Sequence, residues 1–155
     1  MSKHKLTKDD FRQFNDCIKE LRNHESVQQM KNYIQHGKTN TFDHCMSVAK
    51  ASFKLDKMLH SKSDKKTLLK GALLHDLYLY DWHIKGSCKG LHGYHHADSA
   101  ILNAKKHFGL SDREESIIYS HMWPLNLTRI PRKREAWIVC MADKYVSIKE
   151  TLNRK

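Results

Sequence analysis

Two aspartates in this chain stand in apolar surroundings, where an unpaired carboxylate would be unstable. Asp76 follows His75 within a strongly apolar run, and Asp143 follows another apolar stretch. Burying an ionised carboxylate is costly unless a cation or hydrogen-bond donors neutralise it. A metal ion would neutralise both, and His44, one helical turn before Val48, is placed to add an imidazole. These residue types predict a metal centre built from carboxylates and imidazoles.

Helices are expected to position these groups. Apolar periodicity, N-cap signals and a capping box predict helices at 8–22, 25–34, 41–60, 67–79, 97–108, 112–123 and 135–151. His75 and Asp76 fall inside the fourth of these helices, and His121 falls in the last turn of the sixth. The apolar positions of the last helix are Trp137, Val139, Met141, Tyr145 and Ile148. No segment alternates with a period of two, so the prediction is an all-α bundle of six or seven helices.

The segment 81–96 is expected to be a long loop. It contains three of the six glycines and shows no clear period. A loop of this length inside a compact domain is usually functional or mobile, so it is the best candidate for a lid. Asp81 and His83 are either lid residues or ordinary polar loop residues.

Composition narrows the class of protein. At 155 residues, with 39% hydrophobic and 29% charged residues, the chain suits one globular domain rather than a disordered or fibrous protein. The sequence has no apolar export segment and no membrane span, which favours the cytoplasm and reduced cysteines, none of which form a CxxC pair. The formal charge of +11 favours an acidic partner such as a nucleotide, a phosphorylated metabolite or RNA.

In order along the chain, His44, the pair His75-Asp76 and Asp143 resemble the H…HD…D signature of the HD superfamily of metal-dependent phosphohydrolases. The flanking segments 39–44, 72–76 and 140–144 are similar to the helix-borne motifs of that superfamily. The resemblance covers about residues 36–146 and implies a single helical HD domain over 1–155. Residues 1–35 are then expected to form N-terminal helices that pack on it.

His96 and His121 bear on the number of metals. They resemble the two additional histidines of dinuclear members, with the pattern H…HD…H…H…D. The resemblance implies that Asp76 bridges two ions, with His44, His75 and Asp143 on one and His96 and His121 on the other. His92 and His95 remain alternatives to His96. Imidazole and carboxylate ligands suit iron or manganese best, with zinc, cobalt or nickel also compatible.

The resemblance implies hydrolysis of a phosphoester in a nucleotide or another small phosphorylated metabolite. Two adjacent ions would deprotonate a bridging water, which attacks phosphorus in line. Asp76 and His75 are the expected catalytic residues. The candidates for substrate binding are Lys144, Arg129, Arg132, His92 and His36, together with Lys133 and Arg134 of the same basic loop, and Lys38 and Lys85 are weaker ones.

Two other functions stay open at this stage. The same ligand set would serve a di-iron oxygenase of the inositol oxygenase type. The basic loop 129–134 would serve a module that binds RNA or a protein and keeps a structural metal site, although nucleic acid is not the favoured partner. Gly93-Tyr94-His95 lacks the proline of the HD-GYP motif, which argues against cyclic dinucleotides as substrates. The sequence leaves the oligomeric state open.

Overall fold

The computed structural model describes residues 5–88 and 90–153. Within these ranges the chain forms seven α-helices, a short 3-10 helix and one antiparallel two-stranded sheet. In chain order the elements are α1 (Lys8–Asn23), α2 (Glu25–Gln29), the 3-10 helix (Met30–Asn32), β1 (Ile34–His36), β2 (Thr39–Asn40), α3 (Thr41–Met58), α4 (Lys65–Leu74), α5 (His92–Phe108), α6 (Asp112–Ser120) and α7 (Arg134–Leu152). The predicted all-α fold is confirmed, and α1, α3 and α7 match their predicted bounds to within two residues.

The N-terminal segment starts as its sequence predicts and then departs from it. Thr7 and Asp10 form a capping box in which each side chain accepts the backbone N–H of the other residue. The predicted helix over 25–34 is wrong in its second half, because α2 spans only five residues and Ile34 begins β1. The hairpin of β1 and β2 turns at Gly37, whose φ is 58°. Strands of three and two residues are too short to show alternation.

α4 ends before the pair His75-Asp76, so the prediction of a helix to Leu79 is wrong. His75 is the C-cap of α4, and Asp76 lies in the turn that follows. The apolar run continues past the helix because the turn itself is buried, with Leu77 fully inaccessible. Apolar content therefore does not mark the helix end. Leu79 adopts a left-handed φ of 57°, a backbone conformation that cannot continue an α-helix.

α5 begins at His92, five residues before the predicted start at Ala97. Leu91 occupies the N-cap position without a side-chain hydrogen bond to the helix, so the sequence carries no capping signal there. Gly93, which indicated a loop, lies in the first turn of α5. Because α4 also ends earlier than predicted, the segment between the two helices is 75–91 instead of the predicted loop 81–96.

One cluster of buried apolar side chains joins the helices. α3 packs against α4 and α7, and α6 packs against α4, α5 and α7. Phe53, Leu69 and Ile118, from α3, α4 and α6, are fully buried. Phe14 and Ile18 of α1 belong to the same cluster, and the single domain over 1–155 stays a prediction. None of the described helices combines the length and apolar character needed to cross a membrane.

The inward face of α7 differs from the predicted one. Of the predicted apolar positions only Val139 is buried, whereas Trp137, Met141, Tyr145 and Ile148 are 38%, 55%, 62% and 61% exposed. The inward positions are Ala136, Ile138, Val139, Cys140, Ala142, Asp143 and Val146. Periodicity could not choose between the two faces because α7 is apolar on both sides. The small alanines allow close helix packing, and this orientation directs Asp143 inward.

Asp56 links the end of α3 to the start of α4, and its removal should destabilise the fold. Its buried carboxylate accepts hydrogen bonds from Ser61 Oγ and Lys65 Nζ. Burial alone would raise the pKa of Asp56, but these partners hold it below its ordinary value. We expect Asp56→Asn to lower the free energy of unfolding by about 2 kcal/mol at pH 7, measured by urea denaturation.

The effect should depend on pH in one direction. Because the folded-state pKa is lowered, the stability that Asp56 contributes is present above about pH 4 and is lost as pH falls through the folded value. The difference between wild type and Asp56→Asn should therefore shrink below about pH 4. Asp16→Asn on the exposed face of α1 is the matched control, with a change within about 0.5 kcal/mol. Equal losses in both variants would contradict the assignment.

Candidate metal centre

Six side chains from five segments meet in the interior of the bundle. They are His44 in the first turn of α3, His75 and Asp76 at the end of α4, His96 in the second turn of α5, His121 at the C-cap of α6 and Asp143 in the middle of α7. Each is at most 5% exposed. The residues predicted from the sequence as metal ligands thus converge on one buried site.

His44, His75 and Asp143 surround one oxygen of Asp76. His44 Nε2 lies 3.1 Å from Asp143 Oδ1 and 3.7 Å from Asp76 Oδ2. His75 Nε2 lies 3.3 Å from Asp76 Oδ2 and 3.7 Å from Asp143 Oδ1. His44, His75 and Asp76 offer ligand atoms close enough together to hold one cation, and Asp143 lies within the same reach of His75 and His121.

His96 and His121 surround the other oxygen of Asp76. Asp76 Oδ1 lies 3.1 Å from His96 Nε2 and 3.3 Å from His121 Nε2, and the two nitrogens are 2.9 Å apart. The two oxygens of one carboxylate therefore face two different groups of ligand atoms.

Hydrogen bonds on the outer nitrogens turn all four imidazoles toward the site. Each Nδ1 has an acceptor at 2.7 or 2.8 Å, namely Glu150 Oε2 for His44 and the backbone oxygens of Ala72, His92 and Ile118 for His75, His96 and His121. An Nδ1–H that donates outward leaves the Nε2 lone pair directed inward. His75 and His121 use carbonyls in the last turns of α4 and α6, which have no partner within their own helix.

The two buried carboxylates of the cluster would be stabilised by a cation. Burial alone would raise the pKa of Asp76 and of Asp143, but the imidazoles beside them, chiefly His75 and His44 respectively, hold both values well below the ordinary range. His75 Nε2 and Asp76 Oδ1 are buried and lack a hydrogen-bond partner among the described residues. Divalent ions between the carboxylates and the Nε2 atoms would satisfy these groups together. The residues present therefore fit a metal site.

Two supporting contacts were missed in the sequence. Gln35 on β1 donates from Nε2 to Asp76 Oδ2 at 2.7 Å, and its own Oε1 accepts from the hydroxyl of Tyr78. Gln35 carried no signal because its segment was read as the end of a helix. Glu150, the acceptor for His44, lies seven residues after Asp143 on α7. That spacing of two helical turns could have identified it.

The three neighbouring histidines of α5 have different surroundings. His96 alone directs a nitrogen into the cluster, while His95 is exposed. His92 stacks on His96 with ring centroids 4.5 Å apart, and its Nδ1 pairs with the hydroxyl of Tyr80 at 2.9 Å. Burial, with smaller contributions from neighbouring imidazoles, lowers the pKa of His92 to about 4. His92 is therefore uncharged at pH 7 and supports His96 from the side.

A cavity of about 850 Å³ opens onto the cluster. Asp76, His96 and Asp143 are exposed to it at its base, and His36 and His92 lie in its walls. Lys144 also lines the cavity, with Nζ 2.6 Å from the backbone oxygen of His121 and 3.3 Å from Asp143 Oδ2. Lys85 lies on the loop side.

Two of the expected substrate-binding residues lie elsewhere. Arg129 forms an ion pair with Asp98 at 2.8 Å and stacks over Tyr119. Arg132 lines a separate groove together with Lys133 and Arg134. The basic loop leads away from the cavity because these cations flank the start of α7, whereas the cavity faces its middle.

The family of the chain follows from a comparison with models of protein families. The model described as HD domain matches residues 41–148, which include all six residues of the cluster. The chain belongs to the HD domain family. HD domains are generally metal-dependent hydrolases, and the His-Asp pair at the end of α4 is the pair for which the family is named. Comparisons with curated proteins and with solved structures give no match.

The two groups of ligand atoms predict two divalent ions per chain. We expect two manganese ions in the wild-type protein and one in the double variant His96→Ala/His121→Ala, because His44, His75 and Asp143 remain with Asp76. Metal analysis after gel filtration in Mn²⁺ buffer, with circular dichroism to confirm folding, measures this. The matched control His95→Ala removes a neighbouring exposed imidazole and should keep both ions. A single ion in the wild type would contradict the two-ion arrangement.

Glu150 is expected to act through His44, as a positioning residue. Its carboxylate fixes the His44 ring, so its loss should weaken metal affinity by about 10-fold to 100-fold. Competition with a fluorescent chelator should rank wild type above Glu150→Gln, which keeps an acceptor oxygen, and Glu150→Gln above Glu150→Ala. Glu20→Gln on the exposed face of α1 serves as the control. The assignment is wrong if both Glu150 variants bind manganese as the wild type does.

Proposed function

We propose that this HD domain protein is a metal-dependent phosphohydrolase that cleaves a phosphoester in a small phosphorylated metabolite. The observation that carries the proposal is the position of Asp76, whose two oxygens face two separate groups of buried ligand atoms beneath an open cavity. Membership of the HD domain family supports the same class of chemistry.

The six clustered residues are proposed to hold two ions. His44, His75 and Asp143 would hold one, His96 and His121 the other, and Asp76 would contact both. Nitrogen and oxygen ligands of this kind suit manganese or iron best. Bound divalent ions acidify water and offset the charge that develops on phosphoryl oxygens.

Residues around the cluster are proposed to position the substrate. Lys144 Nζ faces the cavity beside Asp143 and is placed to donate a hydrogen bond to a phosphoryl oxygen. Gln35 fixes Asp76 by a hydrogen bond to Oδ2, so the carboxylate cannot rotate away from either group. His36 lines the cavity with its ring 5.3 Å from that of His44, within reach of a substrate seated on the cluster.

A phosphate-release assay tests the proposal. The protein, loaded in turn with Mn²⁺, Fe²⁺, Co²⁺, Ni²⁺ or Zn²⁺, is incubated without oxygen with a panel of phosphate monoesters, whose cleavage releases phosphate, and of diesters, whose cleavage is followed by the alcohol released. We expect release that depends on the metal and stops when EDTA removes it. Asp76→Asn keeps the size of the side chain but loses its charge, and should lower kcat/KM by at least about 100-fold.

The control variant for this assay is Asp98→Asn. Asp98 lies on α5 but pairs with Arg129 outside the cavity, so its loss should leave phosphate release unchanged. Failure of the metal-loaded protein to cleave any monoester or diester would refute the proposal. In a parallel incubation in air, product formation that consumes O₂ would support the di-iron oxygenase alternative instead.

A further inference from the structure

The walls of the cavity differ in character from its base. The base carries the carboxylates, imidazoles and Lys144. The outer walls include the apolar side chains of Ile84, Leu91, Met122, Pro124 and Leu125, beside polar ones such as His36, Lys85 and Ser87. Ile84, Leu91 and Leu125 are 61%, 70% and 49% exposed, so large apolar surfaces stand in water around the cavity. Exposed apolar surface grouped around a polar base is typical of a ligand site.

These walls are held in place by local contacts. Leu125 Cδ2 lies 3.1 Å from the position that a Cβ atom on Gly93 would occupy, so the missing side chain of Gly93 leaves room for Leu125 against the first turn of α5. Trp82 stacks on His92 with an interplanar angle of 13°, and its Nε1 donates to the backbone oxygen of Ile34. The indole ring therefore presents carbon atoms as part of the wall.

We propose that the cavity selects phosphate monoesters whose organic group is apolar, either aryl or alkyl. The inference rests on the proposed function and specifies its substrate class. A single phosphoryl group fits the base, where Lys144 is the nearest lysine or arginine among the described lining residues, and Lys85 lies on the loop. The organic group would then lie against Ile84, Leu91 and Leu125.

A sugar or glycerol group fits these walls poorly. Its hydroxyls would leave water without gaining hydrogen-bond partners from leucine, isoleucine and proline side chains. An aryl group that lies against these walls instead removes apolar surface from water, both its own and that of the walls. The volume of about 850 Å³ lies within the usual range for small-molecule sites and leaves room for more than a phosphate.

Binding of phosphonates, which cannot be hydrolysed as esters, tests the selection without turnover. Isothermal titration calorimetry on the Mn²⁺-loaded protein compares benzylphosphonate, methylphosphonate and 2,3-dihydroxypropylphosphonate, which share the same headgroup. We expect benzylphosphonate to bind at least about 10-fold more tightly than either of the others. Equal affinities, a preference for the dihydroxypropyl compound, or no binding of benzylphosphonate at millimolar concentration would overturn the proposal.

Two leucines of the same loop provide a matched pair of variants. Leu125→Ser changes a cavity wall, whereas Leu127→Ser changes a side chain that is 72% exposed and lies outside the cavity. Leu125→Ser should reduce the benzyl-to-methyl affinity ratio by about threefold or more, and Leu127→Ser should not. Equal ratios in the two variants would show that Leu125 does not contact the organic group and would count against the proposal.

The outcomes separate this inference from the proposed function. If the protein cleaves esters with no preference for an apolar group and binds the phosphonates equally, only the selection is wrong. If it cleaves no ester but still prefers benzylphosphonate in the way described, hydrolysis is wrong and the apolar selection stands as a binding property.

Discussion

The constraint on which the structure depends is a pair of carboxylates, Asp76 and Asp143, held in the interior. Lys144 Nζ lies 3.3 Å from Asp143 Oδ2, whereas Asp76 has only imidazoles as ion-pair partners among the described residues. Four imidazoles face the same space and present Nε2 atoms, because their Nδ1 atoms already donate outward. Protons alone can neutralise such a cluster only by placing charge on buried rings, at a cost in desolvation. Divalent cations would neutralise the carboxylates and use the imidazole lone pairs at once. Metal binding at this site would therefore also stabilise the interior.

The ends of two helices position two of the imidazoles. His75 and His121 sit at the C-caps of α4 and α6, where backbone carbonyls without helical partners accept their Nδ1–H groups. The same hydrogen bonds complete the helix ends and select the tautomer that a metal requires. Residues distant in sequence also contact the ligands. Gln35 of the short hairpin bonds Asp76, and Glu150 in the last turns of α7 bonds His44. Parts of the chain that look peripheral in sequence thus determine the orientation of the central ligands.

The carboxylates of the cluster could be predicted from the sequence because their charge conflicts with their apolar surroundings, whereas His96 and His121 were predicted from the resemblance to dinuclear HD proteins. Asp76 and Asp143 among apolar neighbours required a partner wherever the exact helix ends fell, and so the wrong boundary of α4 did no harm to the prediction. What failed depended on contacts distant in sequence. The inward face of α7 is set by packing against α3 and α6, which its two-sided apolar pattern does not reveal. The hairpin of β1 and β2 is too short for a periodic signal, and the choice among His92, His95 and His96 needed the start of α5, which has no capping side chain.

Most of the basic side chains named as candidates for substrate binding lie away from the cavity. The formal charge of +11 suggested that basic side chains attract a phosphorylated partner. In the fold, Arg132, Lys133 and Arg134 line a groove apart from the cavity, and Arg129 is bound to Asp98. The described lysines of the cavity are Lys85 and Lys144, and Lys144 is already engaged by Asp143 and the carbonyl of His121. In the proposed function, most of the attraction for a phosphoryl group would therefore come from cations held by the cluster. The arginines of the loop contribute to the field around the protein. The proposed selection among organic groups would then fall to the apolar walls.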